Sequence, residues 1–317
     1  MKQPLVVIVG PTAVGKTALS IDVAKAFNGE IISGDSLQVY KKLDIGTAKV
    51  TPQEMEGIPH HLIDVAEPEE TYSAFSFKQQ AEKYIEEIAS RGKLPIIVGG
   101  TGMYIQSLLF DFDLGSQKKE NQKEKEALRQ TLTDLVKTKG SEALWQELQR
   151  IDSKGAQSIH PNNEKRVMRA IEVKRLTGES IVDQQGIDLH DLNQSPYDVK
   201  LIGLMTDRSV LYNRINQRVD QMMVDGLLEE ARYVYELGPV QASQGIGYKE
   251  FFPYFANGSS LESCIEQVKQ HSRHYAKRQL TWFRNRMTVE WWDLVDEPKN
   301  IIKLIENIRE WIEEEGG

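Results

Sequence analysis

Gly10-Pro11-Thr12-Ala13-Val14-Gly15-Lys16-Thr17 decides the fold of this 317-residue chain. It follows the apolar run Leu5-Val6-Val7-Ile8-Val9 and precedes an expected helix from Ala18 to about Phe27. Strand, Gly-x-x-x-x-Gly-Lys-Thr and helix in this order form the context of a phosphate-binding P-loop. Two glycines let the backbone curl so that successive N–H groups face phosphate oxygens. The helix N-terminus adds partial positive charge. Lys16 brings a full charge to the terminal phosphate, and Thr17 offers a hydroxyl to Mg²⁺. The alternative is a chance glycine-rich turn, which the joint match of spacing and context disfavours. The loop points to a bound di- or triphosphate without saying which one.

The length allows one large domain, or a core with a second module, and is enough to bury a real core. Hydrophobic content of 40% and charged content of 27% are those of an ordinary soluble protein. Met1-Lys2-Gln3-Pro4 has no signal-peptide core, and no stretch approaches the ~20 apolar residues of a membrane helix. The single cysteine, Cys264, excludes an internal disulfide framework and a Cys-based metal site. A cytoplasmic protein without a membrane partner is expected. The net charge of −8 argues against nucleic acid only on average, because a basic face can coexist with an acidic remainder.

Glu30-Ile31-Ile32-Ser33 reads as a short strand, with Asp35 just beyond it. In open α/β sheets that edge is where ligands bind, although Asp35 or Ser36 could equally cap a helix. His60-His61-Leu62-Ile63-Asp64 reads as another strand. Adjacent strand residues point to opposite faces, so the two histidines make a poor joint ligand set and a hydrogen-bonding role is expected. Tyr72 to about Arg91 reads as a helix, followed by the buried strand Leu94-Pro95-Ile96-Ile97-Val98. That strand ends in Gly99-Gly100-Thr101-Gly102, where many P-loop NTPases carry a Mg²⁺-holding acid. A flexible loop with one hydroxyl therefore replaces a carboxylate, unless Thr101 merely caps the next helix.

Residues 116–150 turn rich in Lys, Gln and Glu with leucines at helical spacing, and a helix from about Pro161 carries Lys165, Arg166 and Arg169. Residues 115–198 are expected to form a mostly helical insertion into a core of 1–114 and 199–317. Asp207 is expected to cap a long helix to about Leu237 on which Arg214 and Arg218 share a face, by themselves no more than a solvated face. From Gln267 to Val289 there are six Lys or Arg and no acid, with Lys269, Arg273 and Lys277 in one helical stripe among aromatic residues. That pattern is a nucleic-acid signature or an anion-site wall.

Together these segments resemble the bacterial-type tRNA dimethylallyltransferase (tRNA isopentenyltransferase) family. The matching stretches are Gly10 to Thr17; Ile32 to Lys49, with Asp35-Ser36 and Asp44-Ile45-Gly46-Thr47-Ala48-Lys49; His60 to Asp64; Gly99 to Tyr104; His160 to Val173; Gly245-Ile246-Gly247-Tyr248-Lys249; and Arg278-Gln279-Leu280-Thr281-Trp282-Phe283-Arg284. They run in family order over nearly the whole chain. Val14 stands where the family often has Ser, a position that contributes mainly backbone. The Cys₂His₂ finger of some eukaryotic relatives is excluded by the cysteine count.

The resemblance implies a P-loop NTPase-like α/β core with a mainly parallel sheet flanked by helices. It implies transfer of a dimethylallyl group from dimethylallyl diphosphate to N6 of adenine at tRNA position 37, with diphosphate leaving. The P-loop then holds a leaving group instead of a nucleotide, which fits the missing acid after Val98. It implies Asp35 as the base for the amine, Thr101 as donor near the leaving oxygen, and Lys16 as a catalytic cation. Gly10, Thr12, Ala13, Val14, Gly15, Lys16, Thr17, Arg166 and Arg218 are the implied diphosphate ligands, with Arg214 able to trade places with Arg218. Mg²⁺ is the implied cofactor, on Thr17. The implied tRNA contacts are Asp35, Ser36, Leu37, Gln38 and Thr101 around the adenine; Lys165, Arg166, Arg169, Gln244, Gly245, Gly247, Tyr248 and Lys249 on neighbouring nucleotides; and Arg273, Lys277 and Arg284 on phosphates. The insertion would embrace the anticodon stem-loop, and the chain would act as a monomer. Two other readings use the same residues: a P-loop small-molecule kinase, and a non-catalytic RNA-binding protein switched by nucleotide.

Overall fold

The apolar run behind the P-loop becomes the middle of a sheet. The computed structural model describes residues 2–110, 122–182 and 188–315. The strands are β1 (Gln3–Val9), β2 (Gly29–Ser33), β3 (His60–His61), β4 (Leu94–Gly99), β5 (Tyr197–Leu204) and β6 (Glu290–Trp292), all parallel in the order β3-β2-β4-β1-β5-β6. β1 pairs Val6 with Ile96 on one side and with Lys200 on the other. Helices cover both faces, so Leu5 to Val9 are all fully buried, which is why the strand reads as a continuous apolar run without alternation. Because every strand runs the same way, the P-loop after β1, Asp35 after β2 and Thr101 after β4 emerge at one edge of the sheet.

The chain divides into two compact units, Met1–Asp111 with Leu189–Gly317, and Phe112–Asp188. The larger unit holds α1 (Lys16–Ala26), the one-turn α2 (Pro52–Met55), α3 (Ala74–Ser90) and α4 (Gly102–Leu109). In the smaller unit, α5 (Gln122–Ile151) kinks at Gly140 and is followed by α6 (Ser153–Gln157) and α7 (Glu164–Thr177). Leu132, Leu144, Leu148, Val167 and Ile171 form that unit's core, and the Trp145 indole N–H donates to the carbonyls of Ala156 and Ile159. α7 begins at Glu164, not near Pro161, because the Asn163 side chain accepts the Arg166 N–H and caps it there. The expected insertion reached residue 198, yet 189–198 belong to the larger unit, where Lys2 Nζ donates to the Asn193 carbonyl at 2.5 Å. Residues 111–121 and 183–187, where part of the insertion was read, lie outside the described residues.

After β5 the larger unit continues with α8 (Arg208–Val224), α9 (Leu227–Glu236), α10 (Phe252–Phe255), α11 (Leu261–Arg286) and α12 (Asn300–Glu315). Asp207 caps α8 as expected, accepting the Ser209 N–H. The single long helix to Leu237 is not there: α8 stops at Val224, and Gly226, at φ +104°, breaks the helical backbone and precedes α9. His60 and His61 bond separately, His60 Nδ1 to the Ile58 carbonyl and His61 Nε2 to Glu30, at 2.8 Å each. Among the described residues, no helix is long and apolar enough to cross a membrane.

Candidate active site

The P-loop is shaped by conformation and crowding. A Cβ on Gly10 (φ +148°) would fall 2.7 Å from the Leu204 carbonyl oxygen, so the end of β1 passes β5 too closely for a side chain. Gly15, at φ +106°, turns the chain into α1, and Ala13 holds the strained φ of +66°. Lys16 Nζ donates to the carbonyls of Gly10 (3.0 Å) and Pro11 (2.7 Å). Burial and the nearby Arg218 charge push its pKa down to about 8, against the opposing pull of Asp35. Thr17 is exposed on the first turn of α1.

The two arginines of α8 reach this loop instead of solvent alone. Arg214 Nε donates to the Ala13 carbonyl at 2.9 Å, and Arg218 Nη1 donates to the Thr12 hydroxyl at 3.3 Å. Burial, reinforced by Arg214, lowers the Arg218 pKa. Three cations crowd one turn of backbone, the electrostatics of a site that wants an anion.

Asp35 faces the same space. Its Oδ1 accepts the N–H groups of Leu37 (2.8 Å) and Gln38 (3.4 Å), so it caps a turn and not a helix. Burial raises its pKa against those N–H groups and Lys16, which makes the carboxylate a better base than an exposed one. Thr101 Oγ1 accepts the Ser36 N–H at 3.1 Å, tying the loop after β4 to the residue after Asp35; it makes no cap bond to α4. This loop is close-packed rather than flexible. A Cβ would fall 2.3 Å from the Gly34 oxygen at Gly99, 2.0 Å from Gln279 Nε2 at Gly100, and 2.2 Å from the Trp282 ring at Gly102.

The cleft's second wall is residues 44–49. Glu230 of α9 accepts the N–H groups of Asp44 (2.8 Å), Ile45 (2.9 Å) and Gly46 (2.8 Å), and the Tyr248 hydroxyl at 2.8 Å. Tyr248 is wholly buried between Gly46 and Gly245, so the expected nucleotide contact is corrected: it is a strut that joins two walls. Gly245 and Gly247 are also buried, while Gln244 and Lys249 are exposed. The Gln38 amide is taken up by the protein, accepting from Ser33 Oγ and donating to the carbonyls of Thr47 and Ala48. Lys49 binds the Tyr40 carbonyl, Asp44 and Asp64. With these walls the P-loop, Asp35 to Gln38, Arg214, Arg218, Tyr275 and Gln279 line one cleft of about 1120 Å³.

The basic stripe of α11 is less free than its sequence suggests. Lys269 pairs with Asp220 (2.7 Å) and Glu266 (3.3 Å), and Arg273 donates to Asn216 Oδ1 at 2.6 Å. The acids absent from residues 267–289 come from α8 and from the first turns of α11 itself. Lys277 and Arg278 are exposed, and Arg284 lies over the Trp291 ring. In the smaller unit Lys165 and Arg166 are exposed on the first turn of α7, and Arg169 faces Glu172 at 3.7 Å. Sequence reasoning missed Glu230, which has no local signal, counted Tyr275 only among the aromatics of the basic stripe, and gave no role to Gln279, although it stands in a quoted stretch. Among the described residues no group of three or more His, Cys, Asp or Glu could hold a metal.

A phosphate cradle beside a buried carboxylate, with a hydroxyl and no acid after β4, narrows the chemistry, and comparison with known proteins narrows it further. The family model described as IPP transferase matches residues 38–286. A protein of Enterococcus faecalis named tRNA dimethylallyltransferase is 57% identical over 98% of each chain. One of the same name from Geobacillus thermodenitrificans is 51% identical over 98% of this chain and 96% of its own. The solved tRNA isopentenylpyrophosphate transferase of Bacillus halodurans matches with a TM-score of 0.73 and 46% identity over 99% of this chain and 98% of that one. A solved eukaryotic dimethylallyltransferase described as acting on tRNA matches with a TM-score of 0.74 and 32% identity, over 91% of this chain and 74% of its own. With a model match spanning most of its length and relatives of this identity end to end, the chain belongs to the IPP transferase family.

Proposed function

We propose that this chain is a tRNA dimethylallyltransferase: it moves the dimethylallyl group of dimethylallyl diphosphate onto N6 of the adenine at tRNA position 37 and releases diphosphate. The observation that carries the reading is the placement of Asp35 and the P-loop in one cleft. A carboxylate facing three cations suits a reaction in which one group takes a proton while another leaves as an anion.

The exocyclic amine of adenine is a weak nucleophile, because its lone pair is delocalised into the ring. Asp35, with its raised pKa, accepts the amine proton as the C–N bond forms. The C–O bond to diphosphate breaks at the allylic carbon, and the electron pair stays on the leaving oxygen. Lys16, Arg214, Arg218 and the P-loop amides stabilise that charge, and Thr101 donates to the leaving oxygen. Thr12 takes part through its neighbours, since its own N–H is engaged by Gln279 Oε1 at 3.0 Å. The exposed Thr17 hydroxyl at the start of α1 would hold Mg²⁺, which would supply further positive charge for the leaving diphosphate. The adenine leaves the anticodon-loop stack to enter the cleft. In the larger unit Gln244 and Lys249 supply contacts to neighbouring nucleotides, and the smaller unit offers Lys165 and Arg166 to the RNA. We place the enzyme in the cytoplasm as a monomer, with the mostly helical insertion gripping the anticodon stem-loop.

The test mixes the protein with Mg²⁺, labelled dimethylallyl diphosphate and an unmodified anticodon stem-loop. Label is expected in the RNA with the natural chain and at least about 100-fold less with Asp35→Asn. ATP consumption without label transfer would favour a kinase, and RNA binding without turnover would favour a nucleotide-switched binder.

A further inference from the structure

Gln279 of α11 is a buried amide placed between two loops of the cleft. Its Oε1 accepts the Thr12 N–H at 3.0 Å, and its Nε2 donates to the Gly100 carbonyl at 3.0 Å. The Thr12 N–H can only donate and the Gly100 carbonyl can only accept, so one amide orientation alone satisfies both. The fit leaves no slack, because a Cβ on Gly100 would fall 2.0 Å from Nε2. One turn further along α11, Trp282 packs against Gly102 as closely, so α11 grips both flanks of Thr101. On the other side the Ser36 N–H occupies one lone pair of the Thr101 hydroxyl. The Tyr275 hydroxyl interacts with both Thr101 and Gln279, and burial keeps that phenol protonated. A threonine hydroxyl has two lone pairs and one hydrogen. That hydrogen is directed at Ser36 Oγ over 3.4 Å, a long bond that a ligand oxygen in the cleft can replace.

We infer that Gln279 is a positioning residue for the transfer step: it sets the distance between the diphosphate cradle at Thr12 and the hydroxyl of Thr101, and acts through Thr101. This rests on the reading of Thr101 as donor to the leaving oxygen. A cradle and a donor built on separate loops are useful only at a fixed separation, and a misplacement of ~1 Å costs about 100-fold in rate.

Gln279→Glu keeps the size and the acceptor for Thr12 but sets an oxygen against the Gly100 carbonyl. Its kcat is expected to fall about 10- to 100-fold, with the KM for RNA within about twofold. In a Thr101→Val background the same change is expected to cost no more than about threefold, the non-additivity of two groups acting as one. Gly100→Ala, which displaces the Gln279 side chain from the other side, is expected to repeat both results and serves if Gln279→Glu does not fold. Equal penalties with and without Thr101, or an unimpaired Gln279→Glu enzyme, would overturn the inference. Thr101→Val at the natural rate would remove Thr101 from the reaction, and this inference with it. Absence of transfer by the natural chain would instead fail the functional reading itself.

Discussion

The charge of Lys16 should limit the enzyme on the alkaline side. Its pKa of about 8 lies far below the ordinary lysine value, because burial and Arg218 disfavour the charged form more than Asp35 favours it. At pH 7 roughly 90% of the free enzyme carries the charge, and at pH 9 roughly 10%. The charged form binds diphosphate, so kcat/KM for the prenyl diphosphate should fall about tenfold per pH unit above pH ~8, since this constant reports the free enzyme. Arg218→Met removes a cause of the depression and should move the limb to higher pH, although overall affinity drops. Asp35→Asn removes the opposing charge and should move the Lys16 titration to lower pH. Turnover from pH 6.5 to 9.5 checks the first two enzymes, and the pH dependence of Lys16 acylation, read by peptide mass spectrometry, checks all three. For stability the sign is opposite. A lysine whose folded pKa lies below its unfolded value destabilises the free protein while charged, so its cost is relieved as pH rises from about 8 towards ~10.4. The melting difference between the natural chain and Lys16→Met should therefore shrink over that range. Lys16 titrating near ~10.4 in every variant would refute the reasoning.

Tyr248→Phe removes a 2.8 Å hydrogen bond to the Glu230 carboxylate and should cost about 1.5–3 kcal/mol in urea unfolding, with Glu230 still held by three backbone N–H groups. Gly226→Ala should cost about 1–3 kcal/mol from backbone conformation alone, because the nearest atom to a Cβ there is 3.6 Å away. Burial favours the neutral form of Glu30, but bonds from His61, Lys93 and Arg91 outweigh it and hold the pKa down to about 2. Its contribution, of order 3 kcal/mol, should be fully present above pH ~4.5 and lost as pH falls towards 2, an acid limb that Glu30→Gln abolishes in melting curves.

What could be read in the chain depended on sequence distance. The P-loop, the buried strands and Asp35 beyond β2 are local patterns, and the ordered set of stretches carried the family. The partners were not local. Arg214 and Arg218 read as a solvated face because the loop they bind lies at the other end of the chain. Lys269 read as a free cation because Asp220 comes from another helix. Tyr248 was an RNA contact only by the family resemblance, whereas Gly46, distant in sequence, and Gly245 admit its ring into the interior. The loop at Gly99–Gly102 read as flexible because glycines that admit a neighbour and glycines that allow motion are identical in sequence. Gly226 was overlooked because apolar periodicity continues on both sides of the break.

The most direct test of the central claim is to digest the reacted stem-loop to nucleosides and identify them by mass spectrometry, while measuring diphosphate release in the same tube. One prenyl group on N6 of the adenine at position 37 for each diphosphate released, with none from Asp35→Asn, is the expected result. Diphosphate released without a modified adenine, or a prenyl group elsewhere on the RNA, would contradict it.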